Sequence, residues 1–298
     1  MDCYTIKVKL DKYLEIKDYY SPYLINETGD YIDFVASIND VIIKGYLSKK
    51  ENKSIIFRGK NALEEIKKWD VEIKEKPITP KEELHIVDFG EQIGSDEVGV
   101  GDFYLPMIVV AAYIDKYQYH RLKELGITDS KKMSDNKIRE IGPLLIKDFD
   151  FSKLTISNEK YNEMIAKGEN INSLKAKMHN RALANLHKKY PDVIAIYVDE
   201  FVNANKYYSY LTDKDEPIVR EISFKTKGEL RFPSVALASV IARYSLLLEK
   251  DKLDSKYDLD FPFGAGKQAD EFKKVLLDKV GEEQFAKLVK KNFKNYSK

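Results

Sequence analysis

Two adjacent carboxylates, Asp96 and Glu97, end a strand-like stretch and run into a glycine-bearing turn, Ile93-Gly94-Ser95-Asp96-Glu97-Val98-Gly99-Val100-Gly101-Asp102. Leaving either one buried without a partner would cost about 3 kcal/mol or more, so the pair must face water or hold something cationic. An Asp-Glu dipeptide alone is ordinary solvated surface. Here it has apolar strand patterns on both sides and a Gly-x-Gly turn whose backbone can press against a ligand. Further acids mark the ends of later elements: Asp199 closes the run Val193-Ile-Ala-Ile-Tyr-Val198, and Glu229 stands ahead of an apolar helix opened by Pro233. Asp96, Glu97, Asp199 and Glu229, with no nucleophile between them, suit hard, oxygen-seeking cations such as Mg²⁺ or Mn²⁺. Two such ions about 3.5 to 4 Å apart can activate a water and stabilise the leaving oxygen of an in-line phosphodiester displacement.

Other chemistries fit less well. A glycosidase uses paired carboxylates but needs only two, with an aromatic sugar platform, and has no use for lysine clusters. His85, His120, His179 and His187 lack metal-ligand spacing, so zinc hydrolysis is disfavoured and each is expected to be structural or exposed. Gly264-Ala-Gly-Lys267 looks in part like a phosphate loop but lacks the full spacing; Lys267 is kept only as a phosphate contact. Asp129-Ser130-Lys131-Lys132 places two lysines and a hydroxyl in a loop before a helix, which suits phosphate oxygens and equally suits solvent.

The elements that must position these groups follow from periodicity. Ile86 to Glu97 and Phe103 to Ile114 read as antiparallel strands joined by the Gly99-Val100-Gly101 turn. Neighbouring side chains on a regular strand point to opposite faces, so Asp96 and Glu97 can share one site only where the strand ends or bulges. A helix over Ser134 to Lys147 is expected to break or kink at Pro143, and a strand follows over Phe151 to Ser157. Asn172 to Lys189 is an amphipathic helix with Leu174, Met178, Ala182 and Leu186 on its core stripe and Lys175, Lys177, Arg181 and Lys188 off it. Val193 to Val198 reads as a central, two-sided strand, and Ile218 to Phe224 as a further strand. If the strand ending in Asp199 neighbours the one carrying Asp96, a strand spacing of about 4.8 Å brings their carboxylates within reach of a common ion. The last segment, Gln268 to Phe293, gives one or two helices with a break at Gly281 and lysines that serve solvation.

Ahead of this lies a smaller pattern. Strands at Tyr4 to Val8, Tyr31 to Ser37, Val41 to Leu47 and Ser54 to Phe57, with helices at Lys12 to Tyr19 and Asn61 to Trp69, predict a curved antiparallel sheet covered by helices on one face. Lys44, Tyr46, Lys49, Lys50, Lys53, Arg58 and Lys60 interleave charge and aromatics on its other face, which suits a nucleic-acid backbone. On its own, that face reads more simply as solvated surface. Residues 70–83 carry alternating charge and two prolines and read as a linker, giving domains over 1–80 and 81–298.

At 298 residues the chain can bury a sizeable core. Its 50 basic against 49 acidic side chains leave a net charge of +1, so any polyanion surface must come from local sorting of charge. A single cysteine, Cys3, excludes an internal disulfide and thiolate zinc clusters and fits a reducing compartment. With neither a leader pattern at the start nor a membrane-length apolar run, a cytoplasmic monomer without membrane partners is expected.

The residues that carry a resemblance are Gly94-Ser-Asp-Glu-Val-Gly-Val-Gly-Asp102, Asp129-Ser-Lys-Lys-Met133, Asn170-Ile-Asn-Ser-Leu-Lys-Ala-Lys-Met-His-Asn180, the Val198-Asp199 strand end, and Thr226-Lys-Gly-Glu229 before Ala238-Ser-Val-Ile-Ala-Arg243. In this order, over nearly all of residues 86–298, they resemble ribonuclease HIII. The resemblance implies an α/β, ribonuclease H-like mixed sheet flanked by helices, preceded by a small α+β domain similar to the TATA-box-binding protein. It implies Mg²⁺- or Mn²⁺-dependent cutting of the RNA strand of RNA/DNA hybrids, leaving 3′-hydroxyl and 5′-phosphate ends. By position it makes Asp96, Glu97 and Asp199 the metal-binding acids and Glu229 the fourth. It leaves Gly99, Val100, Gly101, Ser130, Lys131, Lys132 and Lys267 as substrate contacts, with the turn's backbone beside the 2′-hydroxyl. The related ribonuclease HII pattern has Gly-Arg-Gly in the turn and Asp at the fourth acid; Val100 and Glu229 depart from it, which favours the HIII pattern and leaves cutting at a single embedded ribonucleotide open. Two other readings stand beside this one: a hybrid-binding protein whose acids are structural, and a related nuclease or strand transferase acting on DNA as readily as on hybrid.

Overall fold

Along Val41–Tyr46 the residues alternate between buried and more exposed positions, the period-two pattern of a half-buried strand. In the computed structural model, which describes residues 2–25, 32–46, 52–69, 71, 90–127 and 133–297, such patterns form two sheets. They belong to two compact units, Met1–Glu83 and Leu84–Lys298.

The first unit contains β1 (Asp2–Val8), α1 (Leu10–Tyr19), β2 (Ile32–Ile38), β3 (Val41–Tyr46), β4 (Lys53–Gly59) and α2 (Ala62–Lys67), with the strands in the antiparallel order β1-β4-β3-β2. Ile6, Ile43, Ile55 and Phe57 face Tyr13 and Ile16 of α1 and Ile66 of α2, forming the core. Glu65 is buried in it and accepts hydrogen bonds from Tyr20 (3.0 Å) and Lys68 (2.7 Å), so its charge is compensated. Strand register puts Thr5, Lys7, Ile42, Lys44, Tyr46, Ser54, Ile56 and Arg58 on the face away from the helices. Of the basic residues expected there, Lys44 and Arg58 lie on it. Lys53 does not: it is opposite Val8, in phase with the core residues Ile55 and Phe57. Lys60 follows β4 in a turn, and Lys49 and Lys50 lie outside the described residues. Lys7 joins that face, a position that its strand pattern already permitted.

The second unit is a five-stranded mixed sheet, order β7-β6-β5-β8-β9, made by β5 (Gln92–Val98), β6 (Met107–Ile114), β7 (Phe151–Ile156), β8 (Ile196–Asp199) and β9 (Ser223–Lys225). β7, β6 and β5 are antiparallel, whereas β8 and β9 run parallel to β5. Its helices are α3 (Gln118–Glu124), α4 (Asp135–Asp148), α5 (Asn158–Ala166), α6 (Ile171–Lys189), α7 (Ala204–Ser209), α8 (Pro233–Tyr257), α9 (Lys267–Leu288) and α10 (Lys294–Ser297). The architecture is the helix-flanked mixed sheet that the resemblance implied. β6 is buried at every position, packed between α8 on one face and α6 on the other. α8 comes unusually close to β5. A Cβ on Gly94 would stand 2.3 Å from the Val235 backbone nitrogen, so only glycine lets the helix start seat there. Ser234 then donates to Gln92 through both its amide (3.1 Å) and its hydroxyl (2.8 Å).

Several boundaries differ from those expected from the sequence. The strand expected from Phe103 begins at Met107; Phe103–Leu105 are buried but irregular, ahead of Pro106, which has no N–H for a ladder. α4 continues through Pro143. β8 is shorter than expected, and Ile194 is 86% exposed rather than central. The strand over Ile218 to Phe224 reduces to Ser223–Lys225. Gly281, with φ +73°, does interrupt α9. Among the described residues no helix is long and apolar enough to cross a membrane.

Candidate active site

β5 and β8 lie side by side with Ser95 opposite Val198, so the next residues, Asp96 and Asp199, occupy neighbouring positions at one end of the sheet. The β5–β8 ladder stops at Ser95 while β5 stays paired with β6 through Val98, and the chain then enters Gly99, whose φ is +83°. A Cβ on Gly99 would lie 2.0 Å from the Pro106 carbonyl oxygen, so this glycine is required by both torsion and space. Gly101 meets neither demand.

Glu229 arrives by a different route. Lys227, in the left-handed region at φ +57°, turns the chain into a single 3-10 turn, Gly228–Leu230, directly before α8. That turn is tied to β8, since the Gly228 amide donates to the Asp199 carboxylate (2.8 Å) and Phe232 stacks on Tyr197 with ring centroids 3.7 Å apart. As a result Asp96, Glu97, Asp199 and Glu229 all line one open cavity of about 330 Å³, together with Met133, Asp135, Ser239, Val240 and Arg243 among others. Arg243 is held by a two-pronged pair with Asp135 (2.9 and 2.8 Å), which keeps the Asp135 carboxyl below its usual range.

The two neighbouring acids of β5 have opposite electrostatic environments. Asp96 is pushed up to about 8, first by burial, then by repulsion from Glu97 and, more weakly, Asp199; hydrogen bonds from Ser239 and the Glu97 amide (2.7 Å) oppose this. Burial also works against the charge of Glu97. It is overcome by His179 and Lys175, which together hold Glu97 below its usual range. His179 is fully buried: Nε2 is 2.9 Å from a Glu97 oxygen and Nδ1 is 2.6 Å from the Ser95 hydroxyl. An ionised carboxylate only accepts, so Nε2 carries the proton towards Glu97, and Nδ1 shares a hydrogen bond with the Ser95 hydroxyl. Lys175 pairs with the other oxygen of Glu97 and sits over the Phe201 ring, 3.9 Å from its centroid.

α6 supplies both partners. Asn170 caps it, accepting from the Asn172 and Ser173 amides at 3.0 Å, while the Ser173 hydroxyl accepts from the Asn170 amide. Lys175 and His179 are four residues apart and therefore share a face. By sequence pattern alone Lys175 falls off the core stripe and His179 has no site role. The structure corrects both, because α6 is buried around most of its circumference and its second stripe meets Glu97. Their i, i+4 spacing was the available signal, although only the helix-to-sheet packing reveals what it faces.

The donor set is all-carboxylate, and it suits a hard divalent cation. The raised Asp96, repelled by two neighbouring acids, is the kind of group whose charge a cation stabilises. Among the described residues no three His, Cys, Asp or Glu side chains already surround one ion position. Glu97 is turned to Lys175 and His179, and Asp199 to Gly228, so the acids share a cavity while using protein donors.

The other residues singled out from the sequence divide. Gly99, Val100 and Gly101 follow Glu97 and Val98 at the sheet end. Lys267 does not line the cavity; it is 89% exposed at the start of α9, with Glu271 3.3 Å away. Ser130, Lys131 and Lys132 lie outside the described residues, while Met133 just after them lines the cavity.

Comparison with known proteins gives a consistent picture. Residues 93–296 match the family model described as ribonuclease HII. The chain is 37% identical to a ribonuclease HIII of Bacillus mycoides, covering 89% of this chain and 87% of that one. It is 35% identical to a ribonuclease HIII of Bacillus cereus, covering 95% and 93%. Among solved structures, the crystal structure of Bst-RNase HIII in complex with Mn²⁺ superposes with a TM-score of 0.68 at 30% identity over 99% of this chain and 97% of that one. Aquifex aeolicus RNase H3, at 21% identity and a TM-score of 0.55, shares the fold.

Proposed function

Because the chain belongs to the ribonuclease HIII family, within the wider ribonuclease HII group, we propose that its hydrolysis of the RNA strand of RNA/DNA hybrids is performed by Asp96, Glu97, Asp199 and Glu229. The observation that carries the assignment is that these acids, from three separate parts of the chain, line a single cavity at the sheet end. Divalent ions, Mg²⁺ or Mn²⁺ and two per site, would be held by these acids and would supply water activation and neutralisation of the leaving oxygen. The chain's own residues set the frame. Asp96 and Asp199 project from adjacent parallel strands, Glu229 is carried by the turn bonded to Asp199, and His179 with Lys175 keeps Glu97 ionised. In-line displacement in which water adds to phosphorus and the P–O3′ bond breaks, the 3′ oxygen leaving, gives 3′-hydroxyl and 5′-phosphate ends. The turn Gly99-Val100-Gly101, which follows Glu97 and Val98, would meet the ribose, and Ser130, Lys131, Lys132 and Lys267 are proposed phosphate contacts. All four acids come from one chain, which supports action as a monomer, and the single cysteine fits a cytoplasmic setting.

A substrate panel tests the reading. Hybrid, duplex DNA, duplex RNA and a duplex with one embedded ribonucleotide, each with Mg²⁺ and with Mn²⁺, should show efficient cleavage of the hybrid alone. Equal cutting of duplex DNA would return the strand-transferase reading. Cleavage must also stop in EDTA while hybrid binding persists; a protein that binds but never cuts would leave only the binding reading.

For the first unit we propose a substrate-binding role, supported by Lys7, Lys44, Tyr46 and Arg58 sharing the sheet face away from the helices. Removing residues 1–80 should raise the KM for hybrid about tenfold or more while changing kcat little, since the four acids belong to the second unit. Replacing Lys7 or Arg58 by Ala should lower the slope of log affinity against log salt by about one per lost phosphate contact. A truncated enzyme with unchanged KM would contradict this role.

A further inference from the structure

Lys290, in the segment between α9 and α10, is fully buried, an exceptional place for a lysine. Its ammonium lies 2.6 Å from each of three backbone carbonyl oxygens, those of Gly99, Asp102 and Leu105. An ammonium has three N–H donors, and these three acceptors use all of them. Burial pulls the Lys290 pKa down to about 7, with the nearby Asp102 carboxylate opposing it only in part, while three carbonyl acceptors at hydrogen-bond distance call for N–H donors on that nitrogen. The backbone of the same residue adds a bond, from the Lys290 amide to the Phe103 carbonyl (3.0 Å). On the far side the Phe103 amide donates to the Gly264 carbonyl (3.0 Å), and the Gly264 amide donates to the Asp102 carboxylate.

The loop that leaves β5 is thus gathered around one nitrogen supplied from about 190 residues later in the chain. With the carbonyls of Gly99, Asp102 and Leu105 drawn inward, the tip at Gly101 is left facing solvent, just beyond Asp96 and Glu97. No apolar side chain could do the same, because it would leave three carbonyls unpaired in the interior. We propose that Lys290 is a positioning residue for ribose recognition: it fixes the backbone of Gly99–Asp102, so that this turn meets the scissile ribose in one geometry. The proposal rests on the reading of that turn as a substrate contact.

The experiment compares wild-type protein with Lys290→Met and Lys290→Gln, all assayed at a temperature where thermal melts show each to be folded. Substrates are an RNA/DNA hybrid and the same hybrid with 2′-fluoro riboses in the target strand, and Mn²⁺ affinity is measured separately by calorimetry. The expected result is a loss of kcat/KM on the ribose hybrid of about ten- to hundredfold, as for other misplacements of a recognition element. The loss on the 2′-fluoro hybrid should be much smaller, so that selectivity collapses while Mn²⁺ affinity is unchanged. Unaltered selectivity in a folded variant overturns the proposal, as does a loss of equal size on both substrates. Gly101→Val serves as the control for the underlying reading, since space is open there. If it alters selectivity and the Lys290 variants do not, only the role of Lys290 fails; if neither does, the turn itself is misassigned. Amide hydrogen exchange in the wild-type protein gives a test free of any variant. The Asp102 and Phe103 amides, bonded to the Gly99 and Gly264 carbonyls, should exchange as slowly as β5, and rapid exchange there would refute the clamp.

Discussion

Replacing Asp96 by Asn should reduce Mg²⁺-supported hybrid cleavage by about 10² to 10⁴-fold, in the range found when a charged or hydrogen-bonding group essential to a transition state is removed. The substitution preserves size and changes only charge and hydrogen-bonding sense. An amide can offer an oxygen to a cation, but it no longer supplies a negative charge between Glu97 and Asp199. Two companion measurements distinguish a site effect from damage to the fold. Hybrid affinity in EDTA should be unchanged, since the proposed binding surface of the first unit is remote in sequence and self-contained. Thermal stability of the metal-free protein should be retained or raised, because Asp96 is a carboxylate whose charge burial and two neighbouring acids oppose. Asp199→Asn should behave alike in activity but lose some stability, because its carboxylate accepts from the Gly228 amide and anchors the turn that carries Glu229. Near-wild-type cleavage by either variant would refute the assignment.

Divalent-ion affinity should rise with pH up to about 8 and then level off. Asp96 titrates at about 8 in the folded, metal-free protein against an ordinary 3.8. Between those values the folded protein holds a proton that the unfolded chain has released. The stability contributed by this group is therefore fully present below 3.8 and is lost progressively as pH rises through about 8. A cation binding at Asp96 must displace that proton, so its apparent affinity should increase by up to about tenfold per pH unit in this window. Calorimetric titration of Mn²⁺ at pH 6, 7 and 8, in buffers of different ionisation enthalpy, measures both quantities. Approximately one proton should be released per binding event at pH 6 and fewer above pH 8. A pH-independent affinity would mean that Asp96 does not hold the ion. Glu97 is not expected to contribute a proton, because His179 and Lys175 already keep it ionised.

How legible the site was depends on the range over which each feature is set. Asp96, Glu97 and Asp199 could be recognised locally, since each ends an apolar strand pattern, and a carboxylate at such a place must be exposed or compensated. Pro233 announced the start of α8 in the same way, through its missing N–H and its fixed φ. Pro143 does not break the segment, since α4 passes through it. The run Val193 to Val198 misled, since apolar composition specifies that a segment prefers burial but not how much of it the neighbouring strands cover, and Ile194 was left exposed.

By itself, then, the sequence determined the kinds of element, the acids at their ends and, through the motif series, the family to which the chain belongs. Only the tertiary structure decided that β8 lies against β5 in the register that pairs Ser95 with Val198, and so that the acids face one cavity. It alone decided that Lys175 and His179 serve Glu97, and that Lys290, one lysine in a lysine-rich tail, is the buried hub of the turn after β5. Hydrophobic periodicity reports what a residue's own element buries, within a few positions along the chain. The partner that compensates a buried charge is fixed by which elements pack together across about 80 to 190 residues, as with His179 on Glu97 and Lys290 on Gly99. That packing is a property of the closed fold, which no local pattern encodes.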